Sequence, residues 1–214
     1  MVWFCAYRDW ALDVFTEVQM SFPNMKLIKD NKEFQDKQKL FKKDDIIFFI
    51  GWSWILPKDI VEKYKCICLH PSPLPKYRGG SPIQNQVVRG ESDSAVSFFR
   101  MTDKLDAGDI FWQKPFSLSG NLNDILLRIR NLAPLGIIDI LNGDYTIIKQ
   151  DETQKSYFSR RKPSDSKISL NDIKTQTAKQ LYDKIRCLQD PYPNAYIVCG
   201  DGKKLYFQLA DYEK

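Results

Sequence analysis

Cys66-Ile67-Cys68-Leu69-His70-Pro71-Ser72-Pro73-Leu74-Pro75-Lys76-Tyr77-Arg78-Gly79-Gly80-Ser81-Pro82 opens as an apolar run and breaks at once into prolines, a basic pair and two glycines. The run Cys66 to Leu69 reads as a buried strand, and the proline-rich residues after His70 read as a long, stiff loop. His70, the chain's only histidine, stands at the junction. Of all side chains, histidine ordinarily ionises nearest neutrality. The carboxyl end of a buried strand is where open α/β sheets hold their ligands. A lone histidine at such a place is also often a core residue bonded to a carbonyl, so the rest of the chain has to decide.

Working outward, the pattern is one of alternation. Val2 to Ala6 reads as a first strand, followed by a turn at Tyr7-Arg8-Asp9 and a helix carrying Trp10, Leu12, Val14, Phe15 and Val18. Met25 to Ile28 reads as a second strand. The charged segment 29–43 reads as a solvated loop or helix face. Ile46 to Ile50 is apolar on both faces, as a central parallel strand is. Gly51-Trp52-Ser53-Trp54 makes a loop, and Pro57 opens a helix to about Tyr64. Beyond the histidine loop, Ser81 and Pro82 open a helix, with Ser81 as its cap. Strands are expected over 94–101 and 110–116, with the polar loop 102–109 between them. Leu122, Ile125, Leu126, Ile129, Leu132 and Ala133 fall at helical spacing, predicting a helix over 121–141. A short strand is expected near 146–148. Strands alternating with helices imply an α/β fold with a mostly parallel sheet.

After Lys149 the composition turns polar and basic, and a domain boundary is placed there: residues 1–149 as one domain and 150–214 as a small α+β region. The latter is expected to hold one helix over 175–188, a turn at 190–194 and a β-hairpin closed by Gly200-Asp201-Gly202.

Composition narrows the class. The chain has 214 residues, 28% charged and 43% hydrophobic, enough for a sizeable core. The net charge of +5 suits small anionic ligands and is too weak and dispersed to argue for a nucleic-acid partner. Five cysteines, an odd number, read as reduced thiols of a cytoplasmic protein. No CxxC pair and no histidine at metal-ligand spacing supports a metal site. No signal peptide or membrane-spanning apolar stretch is seen, so no membrane insertion is expected. A dinucleotide GxGxxG fingerprint is absent.

Three ordered blocks carry a family resemblance. The segment His70 to Pro82 resembles the signature of the formyltransferases that use 10-formyltetrahydrofolate. Met101-Thr102-Asp103-Lys104-Leu105-Asp106-Ala107-Gly108-Asp109-Ile110 resembles a second block, and Gly51 to Lys58 resembles the family's folate-side loop. The resemblance covers about residues 45 to 116 best. It implies a Rossmann-like catalytic domain without a dinucleotide fingerprint, and 10-formyltetrahydrofolate as co-substrate with no metal. By motif match it implies His70 as base and Asp106 as its supporting carboxylate. Gly51, Trp52, Ser53, Ile55, Leu56 and Asp103 fall on the folate side. Where the family usually has an asparagine that holds the formyl oxygen, this chain has Cys68. Another donor could take over that bond, the enzyme could be slow or specialised, or Cys68 could act as a nucleophile.

Ser72, Lys76, Tyr77, Arg78 and Gly79 are assigned to the acceptor, with Lys76, Tyr77 and Arg78 expected to meet its phosphates. The loop and the short tail together resemble the sugar N-formyltransferases, which act on nucleotide-linked amino sugars destined for surface polysaccharide such as lipopolysaccharide O-antigen. Two other readings stay open: an enzyme similar to methionyl-tRNA formyltransferase with a shortened tail, and a catalytically impaired folate- or nucleotide-binding module. A homodimer is expected if Trp52 or Trp112 faces solvent.

Overall fold

The computed structural model describes residues 1–213. Its centre is a six-stranded sheet in the order β2-β1-β3-β4-β6-β7, formed by β1 (Val2–Cys5), β2 (Lys26–Ile28), β3 (Ile46–Phe49), β4 (Lys65–His70), β6 (Asp93–Arg100) and β7 (Ile110–Ser117). The first four of these run parallel, while β6 and β7 are antiparallel to their neighbours, so the sheet is mixed and mostly parallel. A two-residue period divides its side chains between two cores. Phe4, Phe48, Ile67, Leu69, Val96 and Phe98 point to one face. That face is covered by α1 (Asp9–Ser21) and α5 (Leu122–Asn142). Trp3, Cys5, Ile47, Phe49 and Cys66 point to the other, with Phe34 of α2 (Asn31–Lys37) and Ile60 and Val61 of α3 (Lys58–Lys63).

The long helix starts as its sequence requires. Asn121 caps α5 through the N–H groups of Asn123 and Asp124, and the Asp124 carboxylate returns the bond to the Asn121 N–H. Gly143, in the left-handed region, ends it. Midway, Gly136 lets the helix lie close on the sheet, because a Cβ there would stand 2.6 Å from Phe98 and 2.9 Å from Trp112.

Several expectations are corrected. The region 146–148 contributes only a bridge between Ile148 and Ile110. The helix expected over 175–188 is α7 (Ala178–Cys187), and it is preceded by a short helix that was not expected, α6 (Leu170–Thr175). Ser169 with Asp172, and Thr177 with Gln180, each form a capping box, and the second box stops the first helix from running on. Ser81 does not cap α4 (Pro82–Val87). It sits at φ 50° and its hydroxyl accepts the Arg161 N–H instead. Trp112 is buried, with its indole N–H on Asp139, and Trp52 packs against Phe34, Phe49 and Trp54, so neither offers the exposed surface on which the dimer expectation rested.

The hairpin forms as expected, from β9 (Ala195–Val198) and β10 (Lys204–Phe207). Ile185, Cys187, Leu188 and Ala195 of this region enter the same core as α1 and α5. Arg186 donates to the carbonyls of Leu118 and Gly120, fastening α7 to the turn before α5. All five cysteines are unpaired. Among the described residues no helix is long and apolar enough to cross a membrane.

Candidate active site

The parallel register aligns Cys5 with Phe49 and Phe49 with Cys68. The segments after β1, β3 and β4 therefore leave the sheet along one edge. Cys68 and His70, two residues apart, share a face of β4. The loop 101–109 leaves the far end of β6, starting with a bond from the Met101 N–H to the Cys66 carbonyl, and folds back across that face. It brings Asp106 Oδ2 to 3.7 Å from His70 Nδ1.

His70 is buried, and its other ring nitrogen, Nε2, lies 2.8 Å from the Tyr77 carbonyl oxygen. A carbonyl can only accept, so Nε2 carries the hydrogen. In the neutral ring Nδ1 is then the free lone pair, and it is the nitrogen beside the carboxylate. Such a pair can take up a proton at Nδ1 and offset the resulting positive charge. Asp106 itself is held in the left-handed region, φ 49°, a conformation that costs an aspartate about 1–3 kcal/mol and needs surrounding support. Its Oδ2 also accepts the Gly79 N–H at 2.8 Å.

The thiol of Cys68 is pushed up well above its ordinary value, first by burial and then by the Asp106 charge. Burial and the neighbouring carboxylate both disfavour a thiolate, so a nucleophilic Cys68 runs against its surroundings.

The loop after His70 is tied at nearly every residue. Ser72 donates to the Lys76 carbonyl, and its own carbonyl accepts from Ser97. Gln113 donates to the Leu74 carbonyl. Residues 78–79 form a short strand, β5, parallel to β8 (Tyr157–Phe158). Tyr77 stacks on Phe158 and donates its hydroxyl to Glu91, and its phenol is pushed up to about 12 by burial and then by Glu91.

Arg78 is 0% exposed, with its guanidinium on Gln150, Glu152 and Tyr157. The hydrogen bond from Arg78, then that from Lys155, holds the Glu152 carboxyl down to about 2. This corrects the expectation that Tyr77 and Arg78 reach an acceptor's phosphates: both are committed inside the protein, and of that trio only Lys76 is exposed. Ser72 likewise braces its own loop rather than facing outward.

The folate-side residues lie on the neighbouring segment. Gly51, at φ 61°, turns the chain after β3 and lies close under Trp10. Tyr7, Trp52 and Trp54 form an aromatic cluster, and Ser53 bonds to Tyr7 and to Arg160. Ile55 is 93% exposed, and with Pro57 and Phe34 it lines a groove of about 300 Å³ whose polar members are Asn31, Gln35 and Gln38. Leu56 packs partly on the second core. Asp103 is exposed, three residues before Asp106, and is not brought into contact with His70. A larger groove, about 410 Å³, lies between the 190–194 turn and the hairpin, and one residue of its lining, Tyr192, packs under the Arg8 guanidinium.

Sequence reasoning missed the Tyr77 carbonyl, the Gly79 N–H and Gln150. The first two are backbone groups with no signature in residue type. It also missed Arg8 and Arg160. The Arg8 guanidinium lies over the rings of Tyr7 and Tyr192, at 5.0 and 4.9 Å, and Arg160 reaches Ser53 at 2.9 Å. Neither has a carboxylate partner among the described residues.

Residues 17–125 match the Formyl transferase family. A methionyl-tRNA formyltransferase of Ehrlichia ruminantium (strain Welgevonden) is 30% identical over 184 residues, 84% of this chain and 58% of that protein. The chain thus spans a little over half the length of that curated relative. A solved methionyl-tRNA formyltransferase from Clostridium thermocellum superposes with a TM-score of 0.83 at 28% identity, covering 96% of each chain. An N-formyltransferase from Helicobacter canadensis, solved in complex with folinic acid and dTDP-3-aminofucose, shares the fold at a TM-score of 0.69 and 20% identity, over 86% of this chain and 79% of that one.

Proposed function

We propose that this chain, which belongs to the formyl transferase family, moves a formyl group from 10-formyltetrahydrofolate to the amino group of a nucleotide-linked amino sugar. The observation that carries the transfer chemistry is the free Nδ1 of His70 beside Asp106, with Nε2–H fixed on the Tyr77 carbonyl. Nδ1 takes a proton from the acceptor amine as that nitrogen bonds to the formyl carbon. The Asp106 carboxylate, 3.7 Å away, stabilises the imidazolium. As the bond from the formyl carbon to the folate N10 breaks, the proton held on Nδ1 passes to N10. The acceptor becomes a formamide and the donor becomes tetrahydrofolate. No thioester on Cys68 is needed, and its half-buried thiol beside the Asp106 carboxylate is disfavoured as the thiolate that would form one.

The donor fits the groove beside the loop 51–57. Exposed Ile55 and Pro57, over the edge of buried Phe34, offer an apolar wall for an aromatic ring, and Asn31, Gln35 and Gln38 offer hydrogen bonds for its polar tail. On the acceptor side, Arg8 and Arg160 replace the fork first expected at Lys76 to Arg78. Both guanidinium groups flank Tyr7 and Ser53 on the edge that holds His70, with charge left over for a diphosphate.

Methionyl-tRNA is the second reading, favoured by the 30% identity to the Ehrlichia enzyme. A panel assay separates them: purified protein, 10-formyltetrahydrofolate, and either nucleotide-linked amino sugars or methionyl-tRNA, read by mass spectrometry for an added formyl group. Formylation of an amino sugar supports the first reading. Formylation of methionyl-tRNA alone, with a rate that falls steeply with salt, supports the second.

A further inference from the structure

Gln150 lies outside every block that resembles the family signature, yet its carboxamide uses its full hydrogen-bonding capacity. Oε1 accepts two bonds from Arg78, from Nε at 3.0 Å and from a terminal nitrogen at 2.7 Å. Nε2 donates two bonds, to the Asp106 carbonyl at 2.9 Å and the Gly108 carbonyl at 2.7 Å. An amide has two acceptor sites and two donors, and all four are used. Turning it over would set its N–H groups against the guanidinium donors and its oxygen against two carbonyls, so only one orientation is tolerated. Arg78, which fixes that orientation, is wholly buried and is held from its other side by Glu152 and Tyr157.

The two carbonyls bracket the strained part of the loop. Asp106 sits at φ 49°. Gly108 is packed so tightly that a Cβ would lie 1.8 Å from the Arg100 carbonyl oxygen. The amide therefore grips both ends of a three-residue stretch whose first residue directs its carboxylate to His70 Nδ1 and the Gly79 N–H. We infer that Gln150 is a positioning residue: it holds Asp106 in its left-handed conformation, so that one side chain far along the chain sets the geometry of the reacting pair. This rests on the reading of His70 and Asp106 as that pair.

The test replaces Gln150 by methionine, which keeps length and neutrality and removes every amide bond. One arm does not depend on turnover. The Gly79 amide, bonded to a carboxylate, is a charge-assisted donor whose proton resonance is displaced downfield. In Gln150→Met it is expected to move upfield and exchange faster with solvent, as it does in Asp106→Asn. Glu152→Gln touches the same guanidinium but leaves the amide in place, and is expected to leave the Gly79 signal unmoved. In the kinetic arm, kcat falls about 10- to 100-fold in Gln150→Met while both KM values stay within about threefold. If Gln150→Met does not fold, Gln150→Asn, whose amide is one methylene too short, is read in the same two ways. An unmoved Gly79 resonance in a folded variant overturns the inference, and so does a Glu152→Gln variant that behaves like Gln150→Met. If the wild-type protein transfers no formyl group, the functional reading fails, and the Gly79 arm alone still decides whether Gln150 places Asp106.

Discussion

Two loops leave the same edge of the sheet, one after β3 and one after β4, and they are built on opposite plans. From Ser72 to Gly80 nearly every polar backbone group is taken. Partners come from the loop itself, from Ser97 and Gln113 on the sheet, from Ser156 and Phe158, and from Asp106. From Gly51 to Leu56 no backbone N–H donates to another backbone group among the described residues, and Trp54 and Ile55 stand 37% and 93% exposed. The first loop gives His70 its tautomer and the Asp106 carboxylate its second bond. The second is held by side chains instead: Trp52 on Phe34 and Phe49, Trp54 on Tyr7, and Ser53 on Tyr7 and Arg160. On the proposed mechanism, backbone rigidity falls where a proton would move between fixed atoms, and backbone freedom where a large donor would be admitted and released.

The largest effect is expected in the rigid half. His70→Asn removes the free Nδ1 while keeping a polar side chain in its place, so turnover should fall by about 10²- to 10⁴-fold while donor binding, read by fluorescence quenching, changes little. Near-normal turnover in a folded variant would remove the base from the mechanism. Arg78→Met attacks the loop's anchor. It should lower stability by about 2–3 kcal/mol through lost charge-assisted bonds, and should also lower kcat. The ion pair has a pH signature. The Glu152 carboxyl is depressed in the folded state, so its contribution is complete above the unfolded value of about 4.3 and is lost as pH falls toward about 2. The stability gap between wild type and Arg78→Met, from urea melts, should narrow across that window.

In the freer half, Trp54→Ala should raise the donor KM about tenfold and leave the melting temperature within about 2 °C, since it removes ring contacts to Tyr7 and Trp52 at an exposed site. A fall in kcat with unchanged KM would mean that this loop, too, serves the chemistry. The smallest effect is expected at the seam. Cys68→Ser should keep turnover within about threefold, and intact-protein mass spectrometry with the formyl donor alone should show no adduct in either form.

What could be read from residues alone divides along the same line. The strand ending at His70, the loop carrying Asp106 and the hairpin at Gly202 each have a signature within a few residues. The short helix α6 was also written locally, in the capping box Ser169-x-x-Asp172, but six residues are too few to show a helical period. Arg78 was misread for another reason. Whether a cation in a loop is free depends on partners elsewhere, here Gln150 and Glu152, 72 and 74 residues away. The choice of proton-accepting nitrogen rests on the Tyr77 carbonyl, and every residue has a carbonyl.

Hydrogen–deuterium exchange with and without 5-formyltetrahydrofolate, a stable relative of the donor, tests the contrast between the loops most directly. The amides of residues 51–56 should exchange rapidly in the free protein and become protected when the ligand binds. Those of Ser72, Leu74 and Lys76 to Gly80 should be protected in both states. Fast exchange across 72–80 in the free protein, or no change at 51–56 with ligand bound, would contradict the division of rigidity and freedom between the two loops.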